Sequence, residues 1–152
     1  MKADFGSGVF AIISRLESDG ARLSLEQKIL LAETGTVEQV LSILVQAPVQ
    51  VSVTKQEASD GIIKREAVIS RRDSNAPLIR ARSKAYTASL PSKVVQGLLQ
   101  KKGGIGTILH NAGLETRRRL VRFGFEKGHP YRVYQIIHRG KVAFEIREDI
   151  MI

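Results

Sequence analysis

The sequence predicts an α+β fold in which one roughly six-stranded antiparallel sheet is packed with helices. Three observations carry that prediction. Helical patterns gather at the start and middle of the chain, stretches of period two fall into two groups of three, and short turns join the members of each group. Short turns between consecutive strands force antiparallel neighbours, because a parallel return needs a crossover of a dozen or more residues.

Phe5 to Leu16, Leu25 to about Glu33 and Val37 to about Val45 read as helices. Ser24-x-x-Gln27 and Thr36-x-x-Gln39 are capping boxes, in which a hydroxyl and an amide reciprocally satisfy orphan backbone N–H groups, and Gly35 separates the second helix from the third. After Pro48 the period becomes two, with Val49, Val51 and Val53 alternating with Gln50, Ser52 and Thr54. Ala58-Ser-Asp-Gly61 turns the chain into a strand from Ile62 to Arg71, and Asp73-Ser-Asn-Ala-Pro77 turns it into another from Leu78 to Thr87. Ser89-Leu-Pro-Ser opens a helix to about Gln100, and the glycine-rich loop Lys101 to Gly106 leads into a short helix that Gly113 ends. Strands from Leu114 to Phe125, Tyr131 to His138 and Val142 to Asp149 complete the second group, joined by turns at Glu126–Pro130 and Arg139–Lys141. One domain over residues 1–152 is expected, with 1–24 as an N-terminal helical extension.

The hydrophobic fraction is 43% and the charged fraction 26%, an ordinary globular balance. There is no cysteine, which excludes disulfides and thiolate chemistry. The longest apolar run near the N-terminus, Gly8 to Ile13, is too short for a membrane span, so a soluble, cytoplasmic protein is expected. A net charge of +9 implies anionic company: nucleic acid, a membrane surface or a small polyanion. The arginines are scattered, without a basic tail or an aromatic-glycine RNA motif, which argues against nucleic acid. His110, His129 and His138 lack ligand spacing, and Gly103-Gly-Ile-Gly106 is too short for a dinucleotide fingerprint, so neither a metal nor a cofactor is expected.

Two charges sit on apolar faces. At the C-terminus, period two places Val142, Phe144, Ile146, Glu148 and Ile150 together, and in the second strand Ile63, Arg65, Ala67 and Ile69. An ionised carboxylate buried alone costs several kcal/mol or takes up a proton, so Glu148 is paired, protonated or used. Arg65 and Glu148 form either a structural ion pair within the sheet or the two poles of a ligand pocket. In such a pocket the arginine grips a carboxylate and the glutamate addresses a hydroxyl or a proton.

The succession LLAETGTVEQVL, IIKREAVI, GGIGTIL, ETRRRLVRFG and IIHRGKVAFEIRED resembles the chorismate pyruvate-lyase family, especially its short, archaeal-type branch, from about Leu25 to Ile152. That resemblance implies conversion of chorismate to 4-hydroxybenzoate and pyruvate without metal or cofactor. It also implies that Arg65 holds the ring carboxylate, that Glu148 meets the 4-hydroxyl, and that the backbone N–H of Ile105 contacts the carboxylate. This chain has Gly35-Thr-Val-Glu38 where many relatives read Gly-Ser-Val-Thr, so Glu38 alters the pocket if that position lines it. The glycine loop also lacks the proline that often precedes the contacting residue.

The enolpyruvyl carboxylate needs a cation of its own. Arg117 and Arg119 share a face with Val121 and Phe123 and are the candidates, against the alternative of a solvated basic strand. Lys64 and Arg147 are expected on the surface. A second function class is a non-catalytic effector-binding domain of the same fold, as in some transcription regulators. The 24 or so residues before Leu25 hold only one helix, too little for a separate helix-turn-helix.

Overall fold

A computed structural model describes residues 5–152. Helices α1 (Phe5–Ser18), α2 (Leu25–Ala32) and α3 (Val37–Val45) precede strands β1 (Val49–Ser59), β2 (Ile62–Arg71) and β3 (Pro77–Tyr86). A 3₁₀ turn at Thr87–Ser89 leads to α4 (Ser92–Leu99) and α5 (Ile105–Asn111), followed by β4 (Arg117–Glu126), β5 (His129–His138) and β6 (Lys141–Ile150). The N-terminal extension expected over 1–24 is helical from Phe5, and its residues 1–4 lie outside the described residues.

The strands form one antiparallel sheet in the order β1-β2-β3-β6-β5-β4, so two three-stranded meanders join through β3 and β6. Three hairpins turn on a pair of positive-φ residues, Asp60-Gly61, Lys127-Gly128 and Arg139-Gly140, the geometry that matches the twist of the flanking strands. The turn before β5 is therefore tighter than the sequence implies, and His129 and Pro130 belong to the strand.

Two helix ends illustrate how local chemistry decides. The Ser24 capping box forms, with Gln27 N–H donating to Ser24 Oγ at 3.1 Å and Ser24 N–H to Gln27 Oε1 at 2.9 Å. The box expected at Thr36 does not form, and Thr36 instead lines the cavity described below. Gly113 ends α5 at φ 63°, with its N–H returning to His110 O and that of Leu114 to Leu109 O. These bonds hold Leu114 against the core, which delays the start of β4 from Leu114 to Arg117.

Helices cover one face of the sheet. Towards one end Ile13, Leu30, Leu31 and Leu41 pack on Ile79 and Ile150; towards the other, Val94, Leu98 and Leu109 pack on Ile63, Ile136 and Phe144. The opposite face carries charged side chains, among them Lys64, Arg82 and Lys84, all exposed.

Candidate active site between the two cores

The cavity of interest lies where the two clusters meet on the helix-covered face. Two cross-strand rows build its floor. Arg65, Ser83, Ile146 and Tyr134 pair in succession across β2, β3, β6 and β5; one pair further along lie Ala67, Ala81, Glu148 and Arg132. The small side chains of Ala67, Ala81 and Ser83 between the charged residues leave the space. Strand spacing puts the Arg65 and Glu148 backbones about 12 Å apart, two strands over and one pair along. They do not pair with each other, so the structural ion pair between them is not formed, yet both line the same cavity.

Each has other partners. Arg65 is buried and donates to Gln56 Oε1 at 3.1 Å, Gly103 O at 3.1 Å and Leu98 O at 3.0 Å. All three acceptors are neutral, leaving two of its five N–H groups and its whole charge unanswered. Burial accordingly pulls the guanidinium below its usual pKa. Glu148 is held by Arg132, whose Nε donates to Oε1 at 2.7 Å, and by Tyr134, whose hydroxyl donates to Oε2 at 3.2 Å. Arg132 also reaches the C-terminal end of α2, donating to Glu33 O and to Glu33 Oε2 at 3.0 Å. Although burial works against its charge, Glu148, Tyr134 and Glu33 together hold Arg132 above its usual pKa. The Tyr134 hydroxyl is pushed up by burial and by Glu148.

Arg117 and Arg119 do not enter the site. Both are exposed, and Arg119 is bonded to Gln135. A bulge between Leu120 and Arg122 inserts one extra residue and reverses the alternation, so Arg118, rather than its neighbours, shares the inner face with Leu120 and Phe123. Arg118 lines the cavity, stacks 5.2 Å from the Tyr134 ring centroid and lies 4.0 Å from Glu33 Oε2. Its Nη1 is buried without a hydrogen-bond acceptor among the described residues.

Ile105 and Glu38 line the opposite wall. A side chain at Gly104 would collide with the Glu38 carboxylate, so this glycine is what admits Glu38. Burial raises the pKa of Glu38, and a hydrogen bond from the Thr107 side chain opposes the rise. A carboxyl raised in the folded state is protonated alike in both states in acid, and it costs stability as pH rises through its folded pKa. Glu38→Gln is therefore expected to melt with wild-type below pH 4 and to exceed it at pH 8. The gain is no more than about 2 °C, because solvent screens a half-buried carboxylate. Thermal melts at the two pH values check this, and a variant less stable at pH 8 contradicts it. The free volume enclosed is about 50 Å³, below the roughly 300–1,000 Å³ of ordinary ligand pockets. Admission of a ring requires the cavity to widen.

Over 142 aligned residues the chain is 30% identical to the protein named "Putative lyase MJ0807" of Methanocaldococcus jannaschii, covering 81% of this chain and 76% of that one. The chain belongs to the same family as that protein. No protein-family model matches the chain. A solved structure titled "possible transcriptional regulator YydK", from Bacillus subtilis, aligns over 97% of this chain and 95% of that one. It does so at 11% identity and a TM-score of 0.49, too distant to carry an argument.

Among the described residues, no group of three or more His, Asp or Glu could hold a metal ion. No helix among the described residues is long and apolar enough to cross a membrane. Arg132, Tyr134, Glu33 and Arg118 are the site residues that the sequence pattern did not single out. Period two does place Arg132 with Tyr134 and Ile136, an arginine on an apolar face like Arg65, and that signal was available.

Proposed function

We propose that the chain is a chorismate lyase, eliminating pyruvate from chorismate to give 4-hydroxybenzoate, as a single domain over residues 1–152. The observation that carries this reading is the buried Arg65 guanidinium, which meets only neutral acceptors in a cavity whose far end holds Glu148. An unanswered buried cation calls for an anion, and two spare N–H groups suit a carboxylate. The lyase relative supports the reaction class, and the positions resembling the family's motifs support the substrate.

Arg65 holds the ring carboxylate, with the Ile105 backbone N–H beside it. The ring then points towards Glu148, whose oxygens are fixed by Arg132 and Tyr134 and keep lone pairs for the C4 hydroxyl. Arg118, whose Nη1 has no hydrogen-bond acceptor among the described residues and lies 4.0 Å from the Glu33 carboxylate, takes the carboxylate of the enolpyruvyl group. The C4 proton is removed, the C3–O ether bond breaks, and the released enolpyruvate takes up a proton to become pyruvate. Aromatisation drives the step, so the protein's task is to orient a dianion and manage one proton.

Incubating the purified protein with chorismate is expected to give 4-hydroxybenzoate and pyruvate in equal amounts. Tight binding of 4-hydroxybenzoate with no turnover would instead identify a non-catalytic effector-binding domain. Arg65→Ala is expected to fold and to lose about 30- to several thousand-fold in affinity for 4-hydroxybenzoate, equivalent to about 2–5 kcal/mol. An unchanged affinity by titration would remove Arg65 as the anchor.

A further inference from the structure

We infer that the helix-free face of the sheet is a docking surface for the phosphate backbone of a nucleic-acid duplex. Alternate residues of neighbouring strands assemble there what no linear motif displays. Arg80, Arg82 and Lys84 line up along β3, about 7 Å apart by strand geometry. Lys64 stands directly opposite Lys84, and Arg147 directly opposite Arg82. Like charges facing each other across strands destabilise a sheet, and an anion laid over the Lys64–Lys84 and Arg82–Arg147 pairs relieves that repulsion.

Acids are present but do not neutralise the row. Glu57, Glu66, Glu145 and Asp149 face Lys64, Arg82, Lys84 and Arg80 across the strands, yet among the described residues none of them forms an ion pair with the base it faces; Glu57 pairs with Lys55 and Asp149 with Arg147 instead. Arg147 alone is committed, to Glu126 at 2.7 Å and Asp149 at 2.9 Å. Two depressions, of about 440 and 720 Å³, share Glu66, Arg82 and Arg147 and so run into one trough.

The chemistry selects among polyanions. Six strands make a face about 24 Å wide, broad enough for a duplex. Tyr131 is covered by the Arg147 guanidinium at 3.9 Å, and Tyr86 is tied to Glu145, so neither ring is free to stack the bases of a single strand. Val68 and Val133 are too small to anchor in a bilayer. A second copy of this face would meet its own positive charge. Binding is to phosphates and therefore independent of sequence.

Fluorescence anisotropy with a labelled random duplex of about 20 base pairs, titrated between about 50 and 200 mM salt, tests this. The wild-type protein is expected to bind with an affinity that falls linearly on logarithmic axes. The triple variant Lys64→Ala/Arg82→Ala/Lys84→Ala is expected to bind at least about tenfold more weakly, with the slope reduced by about 2–3. Arg15→Ala/Arg22→Ala/Lys93→Ala removes equal charge from the exposed helical side and is expected to retain both affinity and slope. No duplex binding at the lower salt, or equal losses in both triple variants, overturns the inference. So does tighter binding to phosphatidylserine-containing vesicles than to the duplex.

Discussion

Glu148→Gln is expected to release pyruvate from chorismate about 10²- to 10⁴-fold more slowly than the wild-type chain while still binding 4-hydroxybenzoate. Glutamine preserves the shape and one carbonyl oxygen for the Arg132 Nε–H, and Tyr134 can still bond to the amide, so the cavity keeps its form. What disappears is the group able to take a proton. Glu145 supplies the control within the same strand, because three residues along β6 bring a side chain to the opposite face. It lines the outer trough, and its partner is Tyr86 rather than the buried network. Glu145→Gln is expected to change turnover negligibly, since substitutions away from buried features lie within about 0.5 kcal/mol. Comparable pyruvate release from the two variants would show that Glu148 is not the proton-handling residue.

Period-two alternation was sufficient to put Arg65 and Glu148 inside, because both strands are regular at those positions and one face of the sheet is buried along its length. The same rule failed for Arg117 and Arg119. Its phase is reset by the bulge at Val121, and three consecutive arginines offer no apolar contrast from which a reset could be read. The partner of Glu148 was legible only in principle. Arg132 comes from β5, directly across the ladder, and that neighbour follows from strand order, which periodicity does not supply. Glu33 lies further from reach still: it enters the site because α2 ends there and Arg132 donates to the carbonyls of its last turn. The change from threonine to glutamate at position 38 was legible as a departure, and its place on the cavity wall follows from the close approach that Gly104 permits.

Arg132→Met is expected to lower the unfolding free energy by about 3–5 kcal/mol, read as a lower urea midpoint at unchanged slope. Arg132 is 1% exposed and joins two carboxylates from different elements, Glu148 at 2.7 Å on β6 and Glu33 at 3.0 Å after α2. Removing it leaves both without their closest cation, and Arg118 is the nearest remaining one to Glu33, at 4.0 Å. The penalty is therefore mainly that of stranded charge, which a second substitution can separate from lost packing. In Arg132→Met/Glu148→Leu the β6 carboxylate is gone as well, and apolar replacement of a buried ion pair is often neutral or stabilising. The double variant is thus expected to recover part of the loss, with Glu33 accounting for the remainder, and to release no pyruvate. Such a recovery would show that the Glu148 carboxylate is not what stabilises this part of the sheet, in keeping with the role proposed for it in the cavity. A single variant losing less than about 1 kcal/mol would mean the network does not hold the sheet to α2, and a double variant that still turns over chorismate would place the chemistry elsewhere.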